Sequence, residues 1–221
     1  MGKLLSVNVG RGHQADYTDQ DRTGIDKRPV DGPVALTAPG PRGVAASGVA
    51  GDTVCDLRYH GGDDQAVYAY SREELDSWEQ ELGRELSGGV FGENLTTRGI
   101  AVSDAVIGER WQVGERVVLE VSATRIPCRT FAGWLDQRQW VKRFTQRALP
   151  GAYLRVLTPG EVRAGDPVTV LSRPDHGLTT GMVFRALTLE PELLPQLVEV
   201  DALAAHQREA AAQRLRARQR N

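Results

Sequence analysis

The sequence predicts a mainly β protein, a closed or curled sheet with a few peripheral helices, followed by a small all-α unit of three helices. Three observations predict it. The 221 residues include 24 glycines and 11 prolines, more than the roughly 12% these two residues usually contribute. Short β-rich apolar runs between turn residues recur as far as residue 172, the pattern of strands in a sandwich or barrel. Past Ser172-Arg173-Pro174-Asp175-His176-Gly177 the spacing becomes helical, which divides the chain into residues 1–172 and 173–221.

In chain order, Leu5, Val7 and Val9 alternate with Ser6 and Asn8, as in a half-buried strand over residues 3–9. That reading is preferred to myristoylation, although Met-Gly-x-x-x-Ser at the start matches that pattern too. Residues 66–70 (AVYAY) form a short β-rich run. Ser71 and Glu74 make a capping box for a helix carrying Leu75, Trp78 and Leu82 and ending at Gly83. In residues 116–122, Val117, Leu119 and Val121 share one face of a strand. Asp136 and Gln139 form a second candidate box leading into Trp140, Val141 and Phe144. Residues 153–157 and 168–171 are strands bounded by Thr158-Pro159-Gly160 and Gly165-Asp166-Pro167. Residues 179–187, 191–198 and 201–219 read as three helices, the last opening at Asp201.

Composition excludes several classes. With 40% hydrophobic and 25% charged residues, the chain has enough apolar surface to fold. No apolar run approaches the ~18 residues of a membrane span, and the opening residues lack the apolar centre of a signal peptide. A cytoplasmic location with Cys55 and Cys128 reduced is therefore expected. Residues 206–221 hold five arginines and one glutamate, but Arg214, Arg216, Arg218 and Arg220 spread around a helix instead of forming one recognition face. A solvated helix is expected there, with no nucleic acid and no membrane as partner. There is no P-loop, no G-x-G-x-x-G opening a helix after a strand, and no H-E-x-x-H, C-x-x-C or G-x-S-x-G. Two distant cysteines and scattered His13, His60, His176 and His206 argue against a zinc site.

Four places can carry chemistry. Cys128 lies between Arg125 and Arg129, and nearby guanidinium groups favour thiolate, a nucleophile or a ligand for a soft metal. The alternative is a buried, inert cysteine. Cys55, beside Asp52 and Asp56, reads as structural. His60-Gly61-Gly62 offers backbone N–H groups to an anion or simply makes a hairpin turn, and the turn is favoured. Glu93, Asn94, Thr96 and Thr97 follow Gly92 in a polar loop that supplies hydrogen bonds to a ligand or only joins two elements. Lys27, one of three lysines, stands beside Arg28 in a phosphate-binding loop or a surface turn.

In order along the chain, residues 24–30 (GIDKRPV), Gly48-Val49-Ala50-Gly51-Asp52, His60-Gly61-Gly62 with Ala66-Val67, Gly92-Glu93-Asn94-Leu95, Gly108, Gly114-Glu115, Arg125-Ile126-Pro127-Cys128 and Gly151-Ala152-Tyr153-Leu154-Arg155-Val156 with Gly165-Asp166 resemble the MOSC family. These are molybdenum-cofactor-binding domains related to the C-terminal domain of molybdenum cofactor sulfurase. The resemblance covers about residues 3–172, and the tail resembles the three-helix domain of bacterial stand-alone members. It departs at His60-Gly61-Gly62-Asp63-Asp64-Gln65, where the family often has His-Gly-Gly-Pro-Asp-Lys or Arg. The missing basic side chain at Gln65 puts an anion contact there in doubt.

The resemblance implies a β-barrel with a molybdenum-molybdopterin cofactor in a cleft and the metal ligated by Cys128, the catalytic residue. Lys27, Arg125 and Arg129 would balance the charge of the phosphate and metal. His60, Gly61, Gly62, Glu93, Asn94 and Thr96 would hydrogen-bond the pterin. It implies an oxidoreductase reducing small N-hydroxylated compounds, of hydroxylamino-purine or hydroxylamine type, with electrons from a separate flavin-type donor protein. The alternative is a cofactor carrier or sulfur-transfer module working through a Cys128 persulfide. The helical tail would receive the donor or build a homodimer.

Overall fold

The computed structural model describes residues 2–220. The first half contains β1 (Gly2–Gly10), β2 (His13–Gln14), β3 (Arg22–Thr23), β4 (Lys27–Pro29), β5 (Val34–Leu36), β6 (Val67–Ser71), α1 (Arg72–Leu82) and β7 (Leu95–Arg98). The second half contains β8 (Arg110–Val113), β9 (Val117–Ala123), α2 (Arg129–Leu135), α3 (Trp140–Arg147), β10 (Ala152–Thr158), β11 (Gly160–Val162), β12 (Pro167–Ser172), α4 (Thr180–Thr188), α5 (Leu194–Val198) and α6 (Ala205–Gln219).

Seven strands close a barrel in the order β12-β8-β9-β10-β6-β7-β1, with β1 returning to β12 and β4 added outside on β1. The β6–β7 pair is parallel; the other ladders of the barrel are antiparallel. The expected mainly β barrel is thus present. β9 obeys its alternation: Val117, Leu119 and Val121 are fully buried. β1 does not. A register shift between Leu4 and Ser6, on the ladder with β7, makes Leu4 and Val7 the core residues, while Leu5 and Val9 are half-buried. A bulge reverses the inward face partway along a strand, so strict alternation misassigned it.

Ser71 caps α1 by accepting the Glu74 N–H at 3.2 Å, and Gly83 (φ 65°) ends the helix. The return half of the box is replaced: Glu74 Oε1 accepts from the Ser103 N–H at 3.2 Å. The second box is corrected outright. Asp136 (φ 48°) terminates α2, a helix the sequence reading did not contain, and α3 starts after Gln139 (φ 58°) with no side-chain cap. Trp140 and Phe144 are buried as expected, whereas Val141 is exposed.

β12 ends at Ser172 and the chain beyond it is helical. Residues 191–193 form a single 3₁₀ turn before α5. The last helix begins at Ala205, not Asp201; Asp201 lies outside it and pairs with Arg208 at 2.5 Å. Val183, Leu187, Leu194, Leu197, Leu203 and Ala211 from the helices join Leu4, Trp111, Val121 and Leu154 of the barrel in one core cluster. A second, aromatic cluster holds Trp78, Phe91, Phe131, Trp140 and Phe144 beneath α1–α3. Trp78 and Trp140 rings lie 4.7 Å apart, and Phe91 meets Phe131 edge-on at 5.2 Å, the tilted geometries that aromatic quadrupoles favour. Among the described residues no helix is long and apolar enough to cross a membrane.

Candidate functional site

A cavity of about 420 Å³ is lined by the β3–β4 connection, the long segment between β5 and β6, the chain after β9, and α6. Its volume falls in the range of about 300–1,000 Å³ typical of small-molecule sites. Lys27, His60, Gly61, Asn94, Arg125, Cys128 and Arg129 all line it. Gly62, Glu93 and Thr96 do not.

Asp52 organises the floor. Its Oδ1 accepts from the Gly10 N–H at 2.8 Å and from Lys27 Nζ; its Oδ2 accepts from Ser47 Oγ at 2.8 Å and Asn94 Nδ2 at 3.0 Å. The ion pair is buried on both sides. Burial lowers the Lys27 pKa, and Asp52 opposes that shift. Asn94 is fixed at its other end by the Tyr68 N–H, which donates to Oδ1 at 3.2 Å.

Glu93 and Thr96 stand behind this floor and shape it indirectly. The fully buried Glu93 carboxylate accepts from the Gly89 N–H (2.6 Å), the Phe91 N–H (3.0 Å) and Thr96 Oγ1 (2.8 Å). Thr96 Oγ1 also accepts from Asn8 Nδ2 at 2.9 Å. The turn so held presents the Phe91 carbonyl, which accepts from Arg125 Nη1. Arg125 is itself buried, 4.0 Å above the Phe131 ring centroid and 5.1 Å from that of Tyr68. Glu93 therefore acts through the backbone on Arg125, and its side chain does not line the cavity.

Cys128 is half-buried, follows Pro127 and precedes α2, with one side packed on the aromatic cluster and the other on the cavity. Arg125 and Tyr153 lie in the field of its sulfur. Arg129 is at the rim, exposed and paired with exposed Asp19 at 2.9 Å. Of the two guanidinium groups expected beside the thiol, one is inside and one is outside.

The glycine pair makes a close backbone approach to the segment 42–46. At Gly62 (φ 78°) a Cβ would fall 2.6 Å from the Arg42 backbone, and the Gly62 N–H is engaged by the Ala46 carbonyl at 3.0 Å. Gly61 makes the same approach to the carbonyls of Ala45 and Ala46, and it also lines the cavity. Burial, followed by the charge of Arg125, depresses the His60 pKa to about 4, so the imidazole is neutral at pH 7. Its Nδ1 is 3.5 Å from the Tyr153 hydroxyl, whose own pKa is raised by burial.

Asp52, Tyr153, Arg42, Gln65, Thr124 and His206 also line the cavity, and sequence reasoning had named none of them as site residues. Asp52 and Tyr153 at least lie in the motif strings quoted above. Cys55 is on the same wall, half-buried. Its thiol pKa is raised, chiefly by burial, with Arg22 and Lys27 opposing and Asp52 adding; the acidic neighbours are a minor cause, and Asp56 is engaged by Arg58.

Among the described residues no cluster of three or more His, Cys, Asp or Glu could hold a metal ion by itself. A metal at Cys128 must bring most of its ligands with it. The cavity suits such a group. Gln65 Oε1, Thr124 Oγ1, Arg125 Nε and His206 Nδ1 are buried without a hydrogen-bond partner, and all four residues are in its wall. Unpaired buried polar atoms are uncommon and costly. Here they offer donors and acceptors already in place to polar ligands of the cavity, and Arg125 and Lys27 give it positive charge.

A family model described as the MOSC domain matches residues 56–169. Uncharacterized protein YflK of Bacillus subtilis is 35% identical over 183 residues, which are 82% of this chain and 79% of the relative. Protein YiiM of Escherichia coli is 29% identical over 170 residues, 76% and 72% of the two chains. A Gibberella moniliformis protein named Reductase is 32% identical over 205 residues; these span 90% of this chain but 35% of that longer protein. The crystal structure of YiiM from Geobacillus stearothermophilus superposes with a TM-score of 0.77 at 28% identity, covering 97% of this chain and 100% of that one.

Proposed function

The chain belongs to the MOSC domain family, a molybdenum-cofactor-binding type of domain, and on that premise we propose that it is an oxidoreductase reducing N-hydroxylated compounds in the cavity beside Cys128. The observation that carries the proposal is the half-buried Cys128 thiol on the wall of a cavity that also holds Lys27 and Arg125, whose buried Nε has no partner. The Reductase relative supports an oxidoreductase reading, and the substrate class comes from the family resemblance.

When bound, a molybdenum cofactor would supply the two-electron exchange. Cys128 would hold it through sulfur, a soft ligand suited to that metal. Arg125 and Lys27 would offset its negative charge. Arg125 is held for this by Phe91 O and two rings, and Lys27 by Asp52. Asn94, oriented by Tyr68 and Asp52, would present its amide to the ligand. The Tyr153 hydroxyl keeps its proton at neutral pH and stands next to neutral His60, so the pair can hold or pass one proton at the wall of the cavity. The aromatic cluster under Cys128 keeps water from that side of the sulfur. Electrons would come from a separate flavin-type donor protein.

One observation favours a second reading, sulfur transfer through a Cys128 persulfide: Cys55, the other thiol of the chain, lines the same cavity. Metal analysis separates the two. Protein from cells that make the cofactor should hold stoichiometric molybdenum and, once reduced, consume an N-hydroxylated base. Cys128→Ala should lose the metal and at least 100-fold in turnover. Full turnover by that variant would defeat the proposal, and a sulfane-sulfur adduct without molybdenum would favour the second reading.

A further inference from the structure

The cavity wall is chemically uneven. Two of its cations are held by the protein: Lys27 by Asp52, and Arg125 through Nη1 by Phe91 O. Three neutral side chains carry polar atoms that nothing satisfies: Gln65 Oε1, Thr124 Oγ1 and His206 Nδ1. They come from three separate elements tied together at the end of β9. Ser122 Oγ donates to Asp64 O at 2.6 Å and so holds the short turn that carries Gln65. The Ala204 N–H donates to Ser122 O at 2.8 Å, and Gln207 brackets Thr124, accepting its N–H at 3.1 Å and donating to its carbonyl at 2.7 Å. These bonds dock the first turn of α6, with His206, against the chain that leads to Cys128.

Arg42 is on the same wall and makes no ion pair or side-chain hydrogen bond among the described residues. Its backbone abuts Gly62, and its charge acts on both His206 and His60. It places a cation by the turn whose own residue 65 is glutamine where related sequences often carry lysine or arginine.

We propose that Gln65, Thr124, His206 and Arg42 form a second recognition subsite, which selects a substrate carrying both an amide- or amidine-like planar edge and an anionic group such as a phosphate. Neutral amide, hydroxyl and imidazole groups match the donors and acceptors of such an edge, while a guanidinium takes two anionic oxygens at once. A site with buried polar groups waiting for partners discriminates strongly, because an analogue that lacks the partner leaves them unpaired. This inference rests on the reading that the substrate reacts in this cavity, and it makes α6 part of the site.

The test uses the full-length chain, with and without cofactor, titrated calorimetrically with adenosine 5′-monophosphate, adenosine and inorganic phosphate. The monophosphate is expected to bind at least tenfold more tightly than adenosine or phosphate. Arg42→Ala should abolish that advantage, with partial recovery in Arg42→Lys. His206→Ala and Gln65→Ala should weaken both adenosine ligands about tenfold. Thermal melts identify any variant that fails to fold; Arg42 is exposed, so its variants still decide the matter. Equal affinity for phosphate and the monophosphate, no binding, or an unaffected Arg42→Ala would overturn the proposal. Loss of monophosphate binding on cofactor loading would assign the four groups to the cofactor and overturn it too. Since the readout needs neither metal nor electrons, it succeeds or fails independently of the reductase proposal.

Discussion

Asp52→Asn is the most informative single change. Asparagine keeps the shape of the side chain but removes the charge that faces Lys27, and one of its two heads becomes a donor. Four donors converge on Asp52, and an amide cannot accept all four. Breaking one side of a buried ion pair costs about 3–5 kcal/mol. An independent ceiling follows from letting the amine lose its proton: from the ordinary lysine value of 10.5 to pH 7, at about 1.36 kcal/mol per unit, is roughly 5 kcal/mol. The sign with pH is fixed. Burial already lowers the Lys27 pKa and Asp52 opposes it, so the variant's folded-state pKa is lower still. Between that value and 10.5 the unfolded chain binds the extra proton, and the variant gains stability as pH rises. Urea denaturation of wild type and Asp52→Asn should show a gap of about 3–5 kcal/mol at pH 7 that narrows by pH ~9.5. Adding Lys27→Met should remove the pH dependence of the gap. A penalty below about 1 kcal/mol, or one of equal size at both pH values, would refute the reasoning.

Gln207→Leu leaves the buried Thr124 N–H and carbonyl without partners; at about 1–3 kcal/mol each, denaturation should show a loss of roughly 2–6 kcal/mol, and proteolysis should reach the segment before Cys128 sooner. Gly62→Ala must put a Cβ into the Arg42 backbone at φ 78°, and should destabilise by about 1–3 kcal/mol or more without removing a ligand contact. The depressed His60 pKa, about 4, predicts stability that is complete above pH 6.5 and lost as pH falls toward 4, about 3 kcal/mol in all. A His60 imidazole that titrates near 6.5 by NMR would contradict this. Cys55, its thiol pKa raised by burial, should react with iodoacetamide in the Cys128→Ala background only at higher pH than a free cysteine; ordinary reactivity at pH 7 would count against the buried placement.

Legibility followed length and locality. β9, α1 and α4 carry their own periodicity, and their positions could be read directly. β4, β5 and β11 are three residues each; pairing with distant partners makes them strands, and no local pattern announces that. β7 reads LTTR and looked like a polar loop, although both threonines are buried and Thr96 Oγ1 joins the network of Glu93 and Asn8. Around the site, Lys27, Arg125 and Cys128 were legible as a motif set. Glu93 and Thr96 were given to the pterin because the family resemblance implied it. Both are instead buried, satisfying the backbone and each other. His206 and Arg42 had no local signal, since only the docking of α6 on Thr124 and of residues 42–46 on Gly62 brings them to the wall.

The seam of the barrel joins the earliest strand to the latest: Gly2 pairs with Val168 and Lys3 with Pro167. During synthesis the N-terminal strand must wait until nearly the whole sheet has left the ribosome before its second edge is covered. Contacts this far apart in sequence slow folding, and an uncovered edge in the meantime invites pairing with other chains. Truncations that stop short of residue 168 should therefore accumulate as aggregates, even though the Cys128 loop lies wholly within them.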